Sequence, residues 1–497
     1  MAECLGRFAP PATARDAPPS CPCCAFLLDD EGGRGGGIFL PPPCAREDLG
    51  RDRDFGGIAF PAGDLETMSP SEALLALRSA AAAARASEED EGRATPMLVD
   101  THGHPHLERE SAEVYSGGGA GGGGAAAPTG DGDPPEVISL TCAVSQSDWD
   151  DALEYSAESD RILPALGVHP WYLPSLSPDY LEELERLLIL HPRALVGEIG
   201  LCKVARFVRE YPEERGGKTA AMEWQRRVFR EQFQLAAKLR RPCTVHCVRQ
   251  HGVFMAVMKQ IRDERMAEIA ARRKRIRRRE ASEAKTQTDG PDGSPETSEN
   301  ASGSAAHKDE GELVQTLADA FPPAIAMHSF TGTAHHVNEI LKFEESLFGD
   351  SASSVERRGI KKKKKNKSAS NKTPAGSPKK KDGDSAGRPP LFYFGFSHIV
   401  NVAMCSSSKS RRQGVEAVRA VPPDRLLAES DVHSSLDVGG GTAGSVAYLA
   451  ASAAGGSEGE SRGDGLAEMA RLTARNGLDF LGAAGRRMDG AGAGAEQ

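Results

Sequence analysis

Eight short apolar runs divide the chain, and most of them lead into a segment of helical periodicity. The runs are PMLVDTHGH (96–104), EVISLTCAVS (136–145), RILPALGVHP (161–170) and ALVGEIGLC (194–202). They continue with RPCTVHCV (241–248), PPAIAMHSF (322–330), LFYFGFSHIV (391–400) and DRLLAESDV (424–432). Between them lie amphipathic stretches such as DWDDALEYSAES, PDYLEELERLLILHP, AAMEWQRRVFREQFQLAAKLR and TAHHVNEILKFEESLF. Repeated alternation of strand and helix implies parallel strands joined by helical crossovers. The runs are nearly continuous in apolar residues, which is the pattern of strands buried on both faces. Eight such units predict an α/β fold, a closed (β/α)8 TIM barrel. An open, doubly wound sheet is the alternative at the level of fold.

The 497 residues are more than one barrel needs, and their composition explains the excess. Aromatic residues make up only 5 %, while 54 Gly and 32 Pro occur largely in blocks. Residues 1–95 read as a mostly disordered arm, with one helix signal in SPSEALLALRSAAAAARASEEDE (69–91) capped by Ser69 or Ser71. The barrel is expected over 96–485, with low-complexity inserts at about 110–134, 262–312 and 350–389, and a disordered tail over 486–497. The helix GLAEMARLTARNGLDFLGAA closes the folded part, after a stretch of variable character that follows the eighth run.

Charge and cysteine usage narrow the setting. The net charge is −10, but basic residues cluster at 272–279 and 361–367, so the net value says little about partners. The run KKKKKNK suits either a nucleic-acid contact or a solvated tail, and ARRKRIRRRE reads as the exposed end of the helix after the fifth run. Neither is interleaved with aromatic residues, so base stacking on them is not expected. Cys142, Cys202, Cys243, Cys247 and Cys405 stand singly in apolar segments, as reduced buried thiols do. The cluster Cys21-Pro22-Cys23-Cys24 lacks a paired metal-binding spacing, and Gly117–Gly124 lacks the residues of a phosphate loop. No run reaches the ~20 apolar residues needed to span a membrane. The expectation is cytoplasm, nucleus or both, with no membrane association.

The polar residues that close the runs carry the chemistry. The first run ends in Asp100-Thr101-His102-Gly103-His104, and residues two apart in extended backbone share a face, so His102 and His104 can hold one ion. Glu198 closes ALVG, a costly place for a carboxylate that is neither paired nor metal-bound. His169, His246, His328 and Asp431 close other runs. In a parallel barrel all of these ends meet at one mouth. Imidazoles with carboxylates suit Zn2+, Mn2+ or Ni2+, and the carboxylates also admit Mg2+. Six ligands (His102, His104, Glu198, His246, His328 and Asp431) exceed the need of one four-coordinate site; a carboxylate bridging two ions would use them all.

The ordered pieces DTHGH (100–104), GVHP (167–170), GEIGL (197–201), TVH (244–246), MHSFTG (327–332) and ESD (429–431), with the terminal ARLTARNGLDFLG (470–482), resemble the TatD family of metal-dependent hydrolases. VHCVRQHG (245–252) and the stretch from Glu429 to His433 resemble the eukaryotic branch related to the fungal Cut9-interacting protein. The resemblance implies a TIM barrel with two divalent ions that hydrolyses phosphodiesters, commonly DNA from an end. It implies that His102 and His104 hold one ion, His246 and His328 the other, and that Glu198 bridges them. It further implies that Asp431 binds an ion and orients or deprotonates the attacking water, and that His169 lines the substrate pocket. Three positions depart from the family pattern: Gly103 replaces a Cys, Cys202 an Asp, and Val248 an Arg. The last two bear on phosphate positioning, and none removes a ligand. The expected function is therefore a metal-dependent deoxyribonuclease acting on DNA. The alternatives are hydrolysis of another phosphoester or a C–N bond, and a non-catalytic scaffold that binds a protein partner.

Overall fold

The computed structural model describes residues 72–77, 97–108, 136–288, 316–348, 389–454 and 462–484. Each of the eight apolar runs forms a strand: β1 (Leu98–Gly103), β2 (Val137–Cys142), β3 (Ile162–Leu166), β4 (Leu195–Cys202), β5 (Cys243–Val248), β6 (Ile325–Met327), β7 (Phe392–Ser397) and β8 (Leu426–Glu429). They form one sheet in sequence order, and every neighbouring pair is parallel. The principal helices are α1 (Trp149–Ser156), α2 (Tyr180–Leu190), α3 (Gly217–Lys238), α4 (His251–Thr288), α5 (Ala334–Phe348), α6 (Ser408–Ala420), α7 (Val438–Ala453) and α8 (Arg462–Leu481). The arm's cysteine cluster, the Gly-rich spacer and KKKKKNK lie outside the described residues. The arm's helix signal is seen over 72–77, where Ala73 and Leu77 are buried in the main core.

Alternating strand positions feed two apolar layers. Val99, Leu140, Ala165, Leu195, Ala326, Tyr393 and Leu427 pack inside the barrel, and Phe480 from α8 joins them, its ring 5.7 Å from that of Tyr393. Their neighbours, among them Val196, Ile199, Val245, Ile325, Phe392 and Phe394, pack outward against the helices. Asn476 ties α8 to the entrance of β8: its Nδ2 donates to the carbonyls of Pro423 (2.8 Å) and Leu426 (2.9 Å).

The seam between β8 and β1 is closed largely by a side chain. The Asp431 N–H donates to the His102 carbonyl (2.9 Å), and the His104 N–H to that of Val432 (2.8 Å). Below them the fully buried Asp100 carboxylate accepts from Ser430 N–H (2.8 Å), Ser430 Oγ–H (2.5 Å) and His102 N–H (3.2 Å). Burial pushes the Asp100 carboxyl up to about 8, against the pull of these three bonds. Asp100→Ala leaves buried donors unmet and is expected to cost about 3 kcal/mol. Asp100→Asn, which can still accept from Ser430 N–H, should cost clearly less. Denaturant melts of both variants check this, and equal losses would show that the clasp is not what stabilises the seam.

Helix α4 outruns the barrel. Its last fully packed residue is Ile261, and Arg265 makes an outer contact with the Thr316 carbonyl (3.5 Å). The first residues of the expected insert at 262–312 therefore continue a helix. The ~20 residues beyond that contact extend roughly 30 Å at 1.5 Å per residue. The basic block at 272–279 lies on this exposed stretch. Because α4 runs back against the strand direction, the block sits at the opposite end from the barrel mouth. Among the described residues, no helix is long and apolar enough to cross a membrane.

Candidate metal centre

Two irregularities in the sheet turn side chains into the mouth. Leu195 faces the barrel interior, and strict alternation would place Glu198, three residues on, outside. The β4–β5 register shifts between Val196 and Ile199, and this rotates Glu198 inward. The β1–β2 register shifts in the same way between Asp100 and Gly103, so that His102 follows the inward Val99. Asp431 has φ of +54°, a left-handed conformation that Asp tolerates better than most residues, and this turns its carboxylate into the mouth just past β8.

The other six residues singled out in the sequence gather around Glu198, five of them facing it directly. Its Oε2 faces His102 Nε2 (3.3 Å) and His104 Nε2 (3.6 Å). Its Oε1 faces His246 Nδ1 (3.0 Å), His328 Nε2 (3.4 Å) and His169 Nε2 (3.6 Å). Asp431 reaches His104 Nε2 through Oδ1 (3.7 Å) and His328 Nε2 through Oδ2 (3.9 Å). All seven are buried. Donor atoms within 4.8 Å of one another fall into three overlapping groups: His102–His104–Asp431, His102–Glu198–His328 and His169–Glu198–His246.

The hydrogen bonds behind the rings sort their tautomers. His104 Nδ1–H donates to the Cys142 carbonyl (2.7 Å), and His328 Nδ1 faces Glu429 Oε2 (3.4 Å). His102 Nδ1 meets Thr244 Oγ1 (3.0 Å), consistent with the same arrangement. A proton on Nδ1 leaves an Nε2 lone pair aimed at the carboxylates, as in histidines that ligate a metal. His169 is the reverse case. Its Nδ1 accepts the Trp171 N–H (3.3 Å), so in the neutral ring Nε2 carries the proton and donates. His246 turns Nδ1 to Glu198 and leaves Nε2 buried beside Cys202.

Metal ions fit this donor set. The Nε2 atoms of His102 and His104 and Oδ1 of Asp431 are buried without a hydrogen-bond partner. So many orphaned polar atoms facing one another would be costly unless a cation or water meets them. The charges of His104, His169 and Glu198 suit a cation, whereas His328 and His246, raised to about 9 and about 10, would have to give up a proton to bind one. Burial pulls the His104 and His169 imidazoles well below their usual range, which keeps them neutral. Burial alone would raise Glu198, but His169, His328 and His102 hold it well below the usual carboxylate range. His328 is pulled down by burial and pushed up more by Glu198 and Asp431, to about 9.

Two buried carboxylates that the sequence reading left without a role support the site. Asp100 closes the seam beneath His102. Glu429 backs His328 and accepts the Ser329 N–H through Oε2 (2.7 Å). Both stand in the quoted DTHGH and ESD motifs, and a carboxylate at the end of an apolar run was the available signal. Glu429 needs Gly395 opposite it, where an added Cβ would lie 1.8 Å from Oε1. Gly395→Ala is therefore expected to displace Glu429 and to weaken metal affinity by about 10- to 100-fold, the usual cost of losing an outer partner. Titration with a chromophoric chelator competitor reads it; unchanged affinity would remove Glu429 from the supporting role.

Residues 99–283 match the family model described as TatD-related DNase. The chain is also similar to the Cut9-interacting protein scn1 of Schizosaccharomyces pombe, 21 % identical over 326 residues that cover 56 % of this chain and 74 % of that protein. Among solved structures it resembles YJJV, a TatD homologue from Escherichia coli (14 % identity, 69 % of this chain and 85 % of that one, TM-score 0.39). It also resembles an amidohydrolase from Saccharomyces cerevisiae (13 % identity, 69 % and 88 % coverage, TM-score 0.37). The matched stretch carries His102, His104, His169, Glu198 and His246, so the similarity to TatD-related DNases falls on the donor ring itself.

Proposed function

We propose that the chain is a metal-dependent deoxyribonuclease, hydrolysing phosphodiester bonds with a water that two divalent ions would activate. The observation that carries this reading is the ring of buried, mutually facing donor atoms, several of them without a hydrogen-bond partner. His102 and His104 would hold one ion and His246 and His328 the other, with Glu198 shared between them and Asp431 completing the set. Zn2+, Mn2+ or Mg2+ in these positions supplies Lewis acidity, which acidifies water and offsets the charge on phosphate oxygens.

The chain's own groups do the rest. Ser329 Oγ–H donates to Asp431 Oδ2 (3.0 Å), which fixes the carboxylate and leaves Oδ1 to orient a water and take its proton. His169 Nε2–H is placed to donate to a phosphate oxygen, a role its tautomer suits better than ligation. The thiols Cys142, Cys202, Cys243, Cys247 and Cys405 are free, in keeping with a reducing setting in cytoplasm or nucleus.

The relative's name records an interaction with Cut9, so a protein partner belongs in the same proposal, beside DNA as substrate. A scaffold alone would not require the orphaned donor ring. The test is metal content of the purified protein together with digestion of single-stranded DNA, with and without chelator. About two ions per chain and chelator-sensitive cleavage support the proposal. Metal without cleavage moves it to another ester or a C–N bond, and neither metal nor cleavage leaves the scaffold.

A further inference from the structure

Beside the donor ring lies a pocket whose lining is divided by chemistry. His246, His328 and Asp431 contribute polar atoms, with Ser329 and Thr331. The remainder is Trp171, Cys202, Val204, Val248 and Val400. Trp171, Val204 and Val248 pack together around the buried Cys202 thiol. Trp171 Nε1–H donates to Cys202 Sγ (3.2 Å), and its indole lies nearly parallel to the His169 ring (17°, centroids 6.5 Å apart). The indole is therefore held at a fixed tilt, part-exposed, next to the imidazole placed to donate to substrate.

No Lys or Arg lines this pocket among the described residues. Val248 lines it two residues after His246, while the exposed Lys203 and Arg249 beside the lining residues stand outside it. Recognition of successive phosphates needs lining cations, and each contributes to affinity and to its salt dependence. The basic block of α4 cannot substitute, because it lies at the far end of the barrel. A wall of one tryptophan and three valines instead suits a flat, uncharged ring, which stacks on an indole without regard to sequence.

We propose that this wall is the subsite for the planar ring borne by the ester group beside the scissile bond. The site then reads one ring and one phosphate: a terminal nucleotide, or a small ring-bearing phosphodiester, serves as well as a long strand. Nucleobase and aryl ring share the chemistry. The inference rests on the hydrolase reading above.

The experiment compares a dinucleotide, a decanucleotide and the 4-nitrophenyl ester of thymidine 5′-phosphate as substrates of the metal-loaded protein. For wild type, kcat/KM per end is expected to differ by less than about threefold between the two oligonucleotides, with weak dependence on salt. Trp171→Ala should raise KM about tenfold or more, the usual scale of one lost stacking contact, with kcat little changed. Trp171→Phe, which keeps a ring, should recover most of it. Val248→Arg should introduce a preference for the decamer and a steeper salt dependence. If dinucleotide and nitrophenyl ester respond to Trp171→Ala differently, the wall serves the ring of the more affected one. A wild-type preference for the decamer above tenfold, or a KM indifferent to Trp171→Ala, overturns the proposal. If nothing is hydrolysed, the hydrolase reading fails by itself. The wall is then tested by tryptophan fluorescence of the same protein titrated with thymidine 5′-monophosphate: quenching that Trp171→Phe abolishes sustains it, and its absence overturns it.

Discussion

Asp431→Asn is expected to lower kcat by about 10²–10⁴-fold, the range that a positioned general base supplies, while the protein stays folded. Asn is the informative replacement because it tolerates the left-handed backbone that Asp431 adopts at +54°. Its amide can also keep the contact with Ser329 Oγ. What it loses is the charge and the ability to take a proton. Asp431 is also a candidate ligand beside His102 and His104, so two roles must be told apart. If it acts chiefly on water, the variant retains ions held by His102, His104 and Glu198 and stays inactive in excess metal. If it acts chiefly as a ligand, activity and metal content fall together and added metal restores both. Single-turnover cleavage with metal analysis of the same sample decides. Near-normal rates would remove Asp431 from the chemistry altogether.

Barrel and mouth were legible for one reason: parallel strands covered on both faces must be apolar throughout, so a polar residue at their end stands out. His102, Glu198, His246, His328 and Asp431 are all exceptions of that kind. Other features left no such mark. Helix α7 (VGGGTAGSVAYLAASA) reads as a variable stretch because glycine disfavours helix and no apolar face alternates with a polar one. Most of it is buried, and it lies so close to β8 that a Cβ at Gly441 would come within 3.0 Å of Ser430 Cβ. Small residues are there for close approach, a tertiary requirement that periodicity does not record. Helix α4 was legible in part: ARRKRIRRRE reads as its exposed end, yet beyond Ile261 it has strong helix formers but no apolar side, so the same stretch also resembles a linker. The clasp of Asp100 on Ser430 joins residues 330 apart, and Glu429 meets Ser329 across 100. The register shifts that aim His102 and Glu198 are equally a property of neighbouring strands.

The same geometry makes Glu198 the residue on which both halves of the donor ring depend. Its two oxygens face different imidazole sets, His102 and His104 on one side, His246, His328 and His169 on the other. Glu198→Gln keeps the shape and removes the shared negative charge, leaving four or five imidazoles around a neutral amide. Any cations held by the two imidazole sets would then lose the shared negative charge that offsets their mutual repulsion. In wild type, ions at a free concentration of 100 times Kd should stabilise the fold by about 2.7 kcal/mol per site, and chelator should reverse it. In Glu198→Gln that metal-dependent shift is expected to shrink for both sites, with metal content below one ion per chain. Thermal unfolding with and without chelator, beside metal analysis, reads both quantities. Loss of one ion alone, with a normal shift for the other, would make Glu198 a ligand of a single site. Two retained ions would mean that the imidazoles and Asp431 hold them unaided, and that Glu198 is a spectator of the centre it occupies.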